Sequence, residues 1–190
     1  MLRVNLLEAK PMNIIEKAIE IAAKAHVGQV RKLSAVPYIS HPFTVGMILQ
    51  NAGYSDEIIC AGILHDTVED TELTHKDIEE LFGEKIAILV AGATEPEKAV
   101  PWEERKEHTI ASLKNASKDI CVVVCADKIH NLRTMKYEIE VKGSNIWNRF
   151  ARGKEKQEWY YREVLDSISN KLEGEPLLEQ LKYEYEEVFR

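Results

Sequence analysis

Proline and glycine are scarce in this 190-residue chain, with six Pro and nine Gly. That scarcity excludes a collagen-like repeat and argues against a loop-rich all-β fold. Cysteine is rarer still: three residues, an odd number with no framework spacing. Cys60 lies between Ile59 and Ala61, and Cys121 and Cys125 sit in an apolar run. All three read as buried reduced thiols rather than as metal or redox groups. Long hydrophobic runs are missing too. The opening stretch, Met1 to Met12, holds no signal-peptide core, and no stretch reaches the roughly 20 apolar residues that span a bilayer. Met12 is an alternative start. The expectation is a protein neither secreted nor integral to a membrane, and hence cytoplasmic. Positive charge is in deficit, with 25 Lys and Arg against 32 Asp and Glu, a net charge of −7. Non-specific nucleic-acid binding needs many phosphate-neutralising cations, so no nucleic-acid partner is expected. A small phosphorylated ligand needs only a local cluster and stays open.

What is present is ordinary globular composition, 45% apolar and 30% charged. A chain of this length buries a core without disulfide or metal staples. The apolar period is helical almost throughout. Ile14, Ile15, Ala18, Ile19, Ala22 and Ala23 form one stripe that ends near Gly28. Lys32 to Pro37 reads as a loop, and His41-Pro42 opens a helix that stops at Asn51 to Gly53. Ser55 is placed to cap a helix through Ile58 to Leu64. Thr74 caps the next with an imperfect box, because Asp77 stands where Glu is usual. A further helix carries Ile86 to Val90, and Thr94 to Pro101 is the best loop candidate. Ile120 to Ala126 has the β-branched density of a buried strand. Its pattern continues at helical spacing through Ile129, Leu132 and Met135, so it is read as helix, broken by Gly143. Trp147 to Ile168 and Pro176 to Phe189 read as two final helices. The fold class expected is all-α, one domain over 1–190, with no repeat and no strong linker.

Ionisable residues stand in unusual places along these stripes. His41 opens a helix; His65-Asp66 directly follows apolar Ala61 to Leu64; Glu69-Asp70 comes four residues on; Asp127 directly follows Cys121 to Ala126. Singly, each has a plain reading: a helix-start histidine, a common dipeptide, a solvated acidic helix end, a solvated turn. The acidic-end reading is weakened because a helix C-terminus disfavours anions. Gathered in one cleft, these carboxylates would repel one another unless a cation were present. Two imidazoles and two carboxylates suit a divalent transition metal such as Mn²⁺, Fe²⁺ or Zn²⁺ and leave open positions for water and substrate.

The order His41, His65-Asp66, Asp127 resembles the metal-binding pattern of the HD-domain phosphohydrolases. Longer strings are similar to the hydrolase domain of the RelA/SpoT-type alarmone enzymes. They are Ala25-His26-Val27-Gly28-Gln29-Val30-Arg31-Lys32, Pro37 to Pro42, Leu64 to Thr71, Phe82-Gly83 and Ala126 to Arg133. The resemblance covers about residues 14–165, the motif core, with C-terminal helices over 166–190. The chain leaves no room for the synthetase and regulatory domains of the long members, and so resembles the stand-alone small alarmone hydrolases.

The resemblance implies a role for each matching residue. His41, His65, Asp66 and Asp127 would hold the metal, usually Mn²⁺. Glu69 and Asp70 would be needed for hydrolysis. Arg31 would pack against the purine, Lys32 would reach phosphate, and Asn131 would contact the nucleotide. The substrate implied is guanosine 3′,5′-bis(diphosphate), ppGpp, or its triphosphate relative, with the 3′-pyrophosphate removed as a unit to leave GDP or GTP. Arg152 and Lys156 align loosely with basic residues that meet the 5′-phosphates. Two departures from the family pattern stand out, of which the second, in a loop that helps shape the base pocket, bears on base preference more than on hydrolysis. Ala93-Thr94-Glu95 stands where many relatives have Val-Thr followed by Lys or Asp, and the loop Leu33 to Val36 lacks the Gly common in the long enzymes. Two alternatives stay open: a phosphatase for another nucleotide or phosphorylated dinucleotide cofactor, and a non-catalytic nucleotide sensor, against which Glu69-Asp70 argues.

Overall fold

The structure is a computed structural model that describes residues 12–96 and 99–190. Residues 1–11, and Glu97 and Lys98 of the expected Thr94–Pro101 loop, lie outside the described residues. Among the described residues the chain forms ten α-helices, one 3-10 helix and no strand. The α-helices are α1 (Ile14–Ala25), α2 (Ser40–Asn51), α3 (Asp56–Leu64), α4 (Thr67–Asp70), α5 (His75–Phe82), α6 (Glu84–Ala93), α7 (Trp102–Asn115), α8 (Lys118–Lys142), α9 (Gly153–Ser169) and α10 (Pro176–Phe189). The 3-10 helix, Gly143–Arg149, follows α8 directly. The all-α expectation holds, and no described helix is long and apolar enough to cross a membrane.

Helix α8 is the axis of the bundle. Its residues from Cys121 to Asp127 are all buried, on every side of the helix, because α2, α3, α6 and α10 pack around it. A helix enclosed all round loses the one-sided stripe of a surface helix. This explains why Val122, Val123 and Val124 mimic a buried strand in the sequence. The three cysteines are buried and free, and burial raises the pKa of each thiol.

Two differences from the sequence reading have local causes. Asp77 does reach: its carboxylate accepts from the Thr74 N–H at 2.8 Å, and Thr74 Oγ1 accepts from the Asp77 N–H at 3.2 Å, which closes the capping box. The expected helix from Trp147 to Ile168 is not continuous. Trp147 belongs to the 3-10 segment, and α9 starts only at Gly153, whose φ of +68° is a left-handed value that an L-residue in a helix does not adopt. The chain is thereby turned so that Phe150 and α9 close over α8.

Helices α2 and α3 form an antiparallel pair whose contact requires glycine. A Cβ on Gly46 would stand 2.5 Å from Ile63 Cγ1, and one on Gly62 would stand 2.3 Å from Leu49 Cδ1. The close approach brings the first turn of α2, with His41, beside the end of α3, where His65 is the C-terminal cap. The Lys32–Pro37 loop is tied at its neck, where Arg31 N–H donates to Val36 O at 2.8 Å and Tyr38 N–H to Gln29 O at 2.8 Å. Lys142 Nζ and Arg149 Nη1 both donate to Leu33 O, at 2.9 and 2.8 Å. Ala35, at its tip, is the one non-glycine residue with positive φ among the described residues, +59°. This is where the missing glycine of the sequence reading matters.

Two substitutions test these constraints. Gly62→Ala, read by thermal melting, is expected to cost about 1–3 kcal/mol by overpacking, although Ala is the better helix former. Ala35→Gly is expected to gain up to about 1 kcal/mol. Left-handed backbone costs an L-residue about 1–2 kcal/mol, and Gly returns part of that as chain entropy.

Candidate metal centre and nucleotide cleft

The end of α3, the start of α2 and the middle of α8 meet at one point. His41 Nε2 and His65 Nε2 are 3.2 Å apart. Asp66 Oδ2 lies 3.0 Å from His65 Nε2 and 3.4 Å from His41 Nε2. Asp127 Oδ1 lies 3.1 Å from His41 Nε2 and 3.7 Å from His65 Nε2. Both histidines and Asp127 are buried, and Asp66 is nearly so. Ligands about 2.1 Å from a common ion stand roughly 3–3.5 Å from one another. His41, His65 and Asp127 each offer a donor atom within 4.8 Å of the others, a set that could hold one divalent ion, and Asp66 Oδ2 stands beside both imidazoles. These are hard and borderline donors of the kind transition metals accept.

The surrounding groups orient each donor. His65 Nδ1–H donates to Gly62 O at 2.7 Å, which leaves the Nε2 lone pair aimed at the cluster. His41 Nδ1 meets His130 Nδ1 at 2.6 Å, with the rings stacked at 14°. Burial, then His41 and Arg31, push the His130 pKa down to about 3, so it stays neutral and accepts the His41 proton. Tyr38 Oη donates to Asp66 Oδ2 at 2.6 Å, and burial followed by Asp66 holds the phenol protonated. Asp127 is held from both sides: Asn131 Nδ2 donates to Oδ1 at 2.5 Å and Lys128 Nζ to Oδ2 at 2.7 Å.

Electrostatics point the same way. Burial pushes the Asp66 pKa up, but His65 and His41 outweigh it and hold the carboxyl well below its usual range. Burial likewise raises Asp127, and Lys128 and the two histidines hold it well below. Burial pushes His65 down, whereas Asp66 and Asp127 hold it well above the usual imidazole value. In the metal-free protein a proton on His65 thus answers the two carboxylates, a role that a bound cation would take over.

Glu69 and Asp70 line the same cavity, of about 250 Å³, from the short helix α4. Glu69 Oε2 accepts from the Glu95 N–H at 3.3 Å, and its Oε1 lies 3.6 Å from Arg105 Nη1. Burial, then the Glu95, Asp66 and Asp70 carboxylates, raise its pKa to about 7. The Glu69-Asp70 turn is tied to the segment after α1 through Gln29 Nε2, which donates to Asp70 O at 2.6 Å.

A second cavity, of about 290 Å³, adjoins the first. Four cations line it, Arg31, Lys32, Lys106 and Lys128, along with Trp102, Phe150, Tyr160 and Tyr161, and none of its lining residues is acidic. Tyr38, Lys106, Lys128 and Asn131 border both cavities. Arg31 Nη2 donates to Asn131 Oδ1 at 2.8 Å and its guanidinium faces the Tyr38 ring, 5.7 Å from the centroid. Lys32 Nζ lies 5.5 Å from the Phe150 ring centroid. Cations and aromatic faces without carboxylates make a pocket for a planar base carrying phosphates.

The sequence-read residues divide accordingly. His41, His65, Asp66, Glu69, Asp70 and Asp127 line one cavity, Arg31 and Lys32 the other, and Asn131 both. Arg152 and Lys156 line neither: Arg152 makes a two-pronged pair with Glu103 at the surface, at 2.6 and 3.2 Å, and Lys156 lies against the Trp159 ring. Tyr38, Lys106, Lys128 and Tyr160 were missed. Tyr38 and Lys128 sit inside the matching strings; Lys106 belongs to a mixed charge run, Glu103 to Glu107, that reads locally as a solvated face.

Comparison with known proteins places this geometry. The family model described as HD domain matches residues 18–155. A GTP pyrophosphokinase of Streptomyces coelicolor is 40% identical over 134 residues, 69% of this chain and 16% of that protein. This chain therefore spans about a sixth of the length of such relatives. A guanosine-3′,5′-bis(diphosphate) 3′-pyrophosphohydrolase of Danio rerio is 37% identical over 125 residues, 64% of this chain and 69% of that protein. A solved structure of a metazoan ortholog of SpoT that hydrolyzes ppGpp superposes with a TM-score of 0.74 at 26% identity, covering 93% of this chain and 96% of that one.

Two measurements check the site. Tyr38→Phe removes the donor to Asp66 and is expected to weaken metal binding about 10–100-fold, read by calorimetric titration with Mn²⁺. In metal-free protein, carbon NMR of the carboxyl groups is expected to show one Glu titrating near pH 7, protonated below and charged above, and absent in Glu69→Gln.

Proposed function

This chain belongs to the HD-domain family, and we propose that it is a metal-dependent phosphohydrolase that removes the 3′-pyrophosphate of ppGpp and its triphosphate relative. The observation that carries the reading is the junction of two cavities of opposite character. One gathers His41, His65, Asp66 and Asp127 beside Glu69 and Asp70; the other is aromatic, cationic and without carboxylates. A nucleotide with phosphates at one end of its ribose fits that junction, and a chain of net charge −7 has little reason to gather cations there otherwise. The relatives named as pyrophosphohydrolases support the choice of substrate.

In this mechanism His41, His65, Asp66 and Asp127 hold the ion, for which Mn²⁺ suits the mixed nitrogen and oxygen donors. When bound, such an ion supplies Lewis-acid polarisation of a phosphoryl oxygen and lowers the pKa of water. Glu69 takes the proton of the attacking water, a task matched to a carboxyl whose pKa is near 7. Asp70 holds its partner turn in place. The new bond forms between water oxygen and the 3′-phosphorus, the bond from that phosphorus to the ribose 3′-oxygen breaks, and the ribose oxygen regains a proton. Arg31 and Lys32 bind base and phosphate from the first loop, the planar guanidinium suited to stacking and the ammonium to a point charge. Asn131 ties Arg31 to Asp127, so nucleotide binding and the metal centre share one side chain.

The test is Mn²⁺-dependent turnover of ppGpp with products separated by anion exchange. GDP and pyrophosphate are expected; orthophosphate, or no turnover with metal bound, overturns the assignment. Glu69→Gln is expected to keep the metal and lose about 10²–10⁴ in rate, whereas Asp127→Ala is expected to lose the metal itself. Full activity in both variants contradicts the proposed roles.

A further inference from the structure

Glu95 is the departure from the family pattern noted in the sequence, and it occupies an unusual position. Its carboxylate is 10% exposed and surrounded by donors. Lys106 Nζ donates to both of its oxygens, at 2.5 and 2.7 Å. Arg105 Nη1 donates to Oε2 at 3.2 Å, and Tyr160 Oη to Oε1 at 3.0 Å. An ammonium, a guanidinium and a phenol converging on two oxygens of one anion form the donor set that binds a phosphoryl group. The cluster stands on the wall between the metal centre and the nucleotide cleft, since Lys106 borders both cavities.

The donors and the acceptor are mounted differently. Arg105 and Lys106 project from α7 and Tyr160 from α9, whereas Glu95 sits in the connection after α6, outside any helix. Lys106 has contacts besides Glu95: its ammonium lies 4.4 Å from the Tyr160 ring centroid and 5.9 Å from that of Trp102. Burial lowers the pKa of Lys106 and the Glu95 carboxylate raises it, so an anion beside this ammonium favours its charged form. Glu95 serves in the resting protein, and a substrate oligophosphate carries more charge and more acceptor oxygens than one carboxylate.

We propose that Arg105, Lys106 and Tyr160 form a phosphate subsite at the junction of the two cavities, and that Glu95 is its resting counter-ion, displaced when an oligophosphate group enters. The proposal rests on the nucleotide reading above and deepens it. It makes Lys106 a substrate-binding residue and makes Glu95 a residue that sets affinity by competing with the ligand. A protein with an apolar or amide side chain at this position holds phosphate more tightly and releases product more slowly.

The test uses inorganic pyrophosphate as the probe, with metal-free protein in buffer without divalent ions, read by isothermal titration calorimetry. Glu95→Gln is expected to bind pyrophosphate about 10-fold more tightly than the parent, and Lys106→Gln at least about 10-fold more weakly. Circular dichroism and melting verify that each variant folds. If Glu95→Gln does not fold, Glu95→Asp, which retracts the carboxylate by one methylene, is expected to tighten binding in the same direction. Unchanged or weaker binding in the Glu95 variant makes Glu95 a structural brace and overturns the proposal, as does unchanged binding in Lys106→Gln. The readout involves no turnover. Failure to hydrolyse ppGpp with tightened pyrophosphate binding in Glu95→Gln therefore refutes the substrate, not the subsite.

Discussion

Two imidazole nitrogens 3.2 Å apart, with a carboxylate oxygen of Asp66 and of Asp127 each 3.0–3.7 Å from both, are the largely buried constraint on which the rest of this molecule depends. Such a cluster is tolerable only with positive charge inside it. Its supports come from every direction. Gly46 and Gly62 let α2 and α3 approach closely enough for His41 to meet His65. The Gly62 carbonyl, His130, Tyr38, Asn131 and Lys128 each satisfy the outward-facing atom of one donor or one of its lone pairs. Helix α8 carries Asp127 directly after its buried run Cys121 to Ala126, so the core itself sets the depth of the site.

Around that centre the charge is sorted by place. Carboxylates gather on the metal side and cations on the cleft side, and Lys106 and Lys128 stand at the seam. In a chain with a net negative charge, this sorting would steer a polyanionic nucleotide to one orientation. Under the proposed function its base and one phosphate group would lie toward Arg31 and Lys32, and its reactive phosphate toward the metal side. Asn131 and Glu95 couple the two halves, the first by bonding both Arg31 and Asp127, the second by bonding both Lys106 and, through its backbone, Glu69.

Much of this is legible in the sequence because the chemistry is written in short local strings. His65-Asp66 and Glu69-Asp70 occupy consecutive turns, and Arg31-Lys32 lies within a few residues of Tyr38 and His41, so a match to local pattern already selects residues that converge. The helices were legible for the same reason, as their apolar period is local. What escaped depends on contacts between distant segments. Lys106 lies in a run of mixed charge on α7 and becomes a cleft residue only because α9 and α8 fold against it. Arg152 and Lys156 share the composition of a phosphate site, yet their side chains are taken by Glu103 and Trp159 at the surface. The break before α9 escaped because Trp147 and Phe150 continue the apolar period across a turn that Gly153 enforces.

Metal-dependent stability tests the central constraint most directly. A ligand that binds only the folded state stabilises it in proportion to the logarithm of its concentration. The melting temperature of metal-stripped protein, followed across a Mn²⁺ titration, is expected to rise steadily with the logarithm of free Mn²⁺, and to stop rising when His41 is replaced by Ala. A melting temperature indifferent to Mn²⁺, or an equal rise in the His41→Ala variant, contradicts the reading of these four side chains as one ion site.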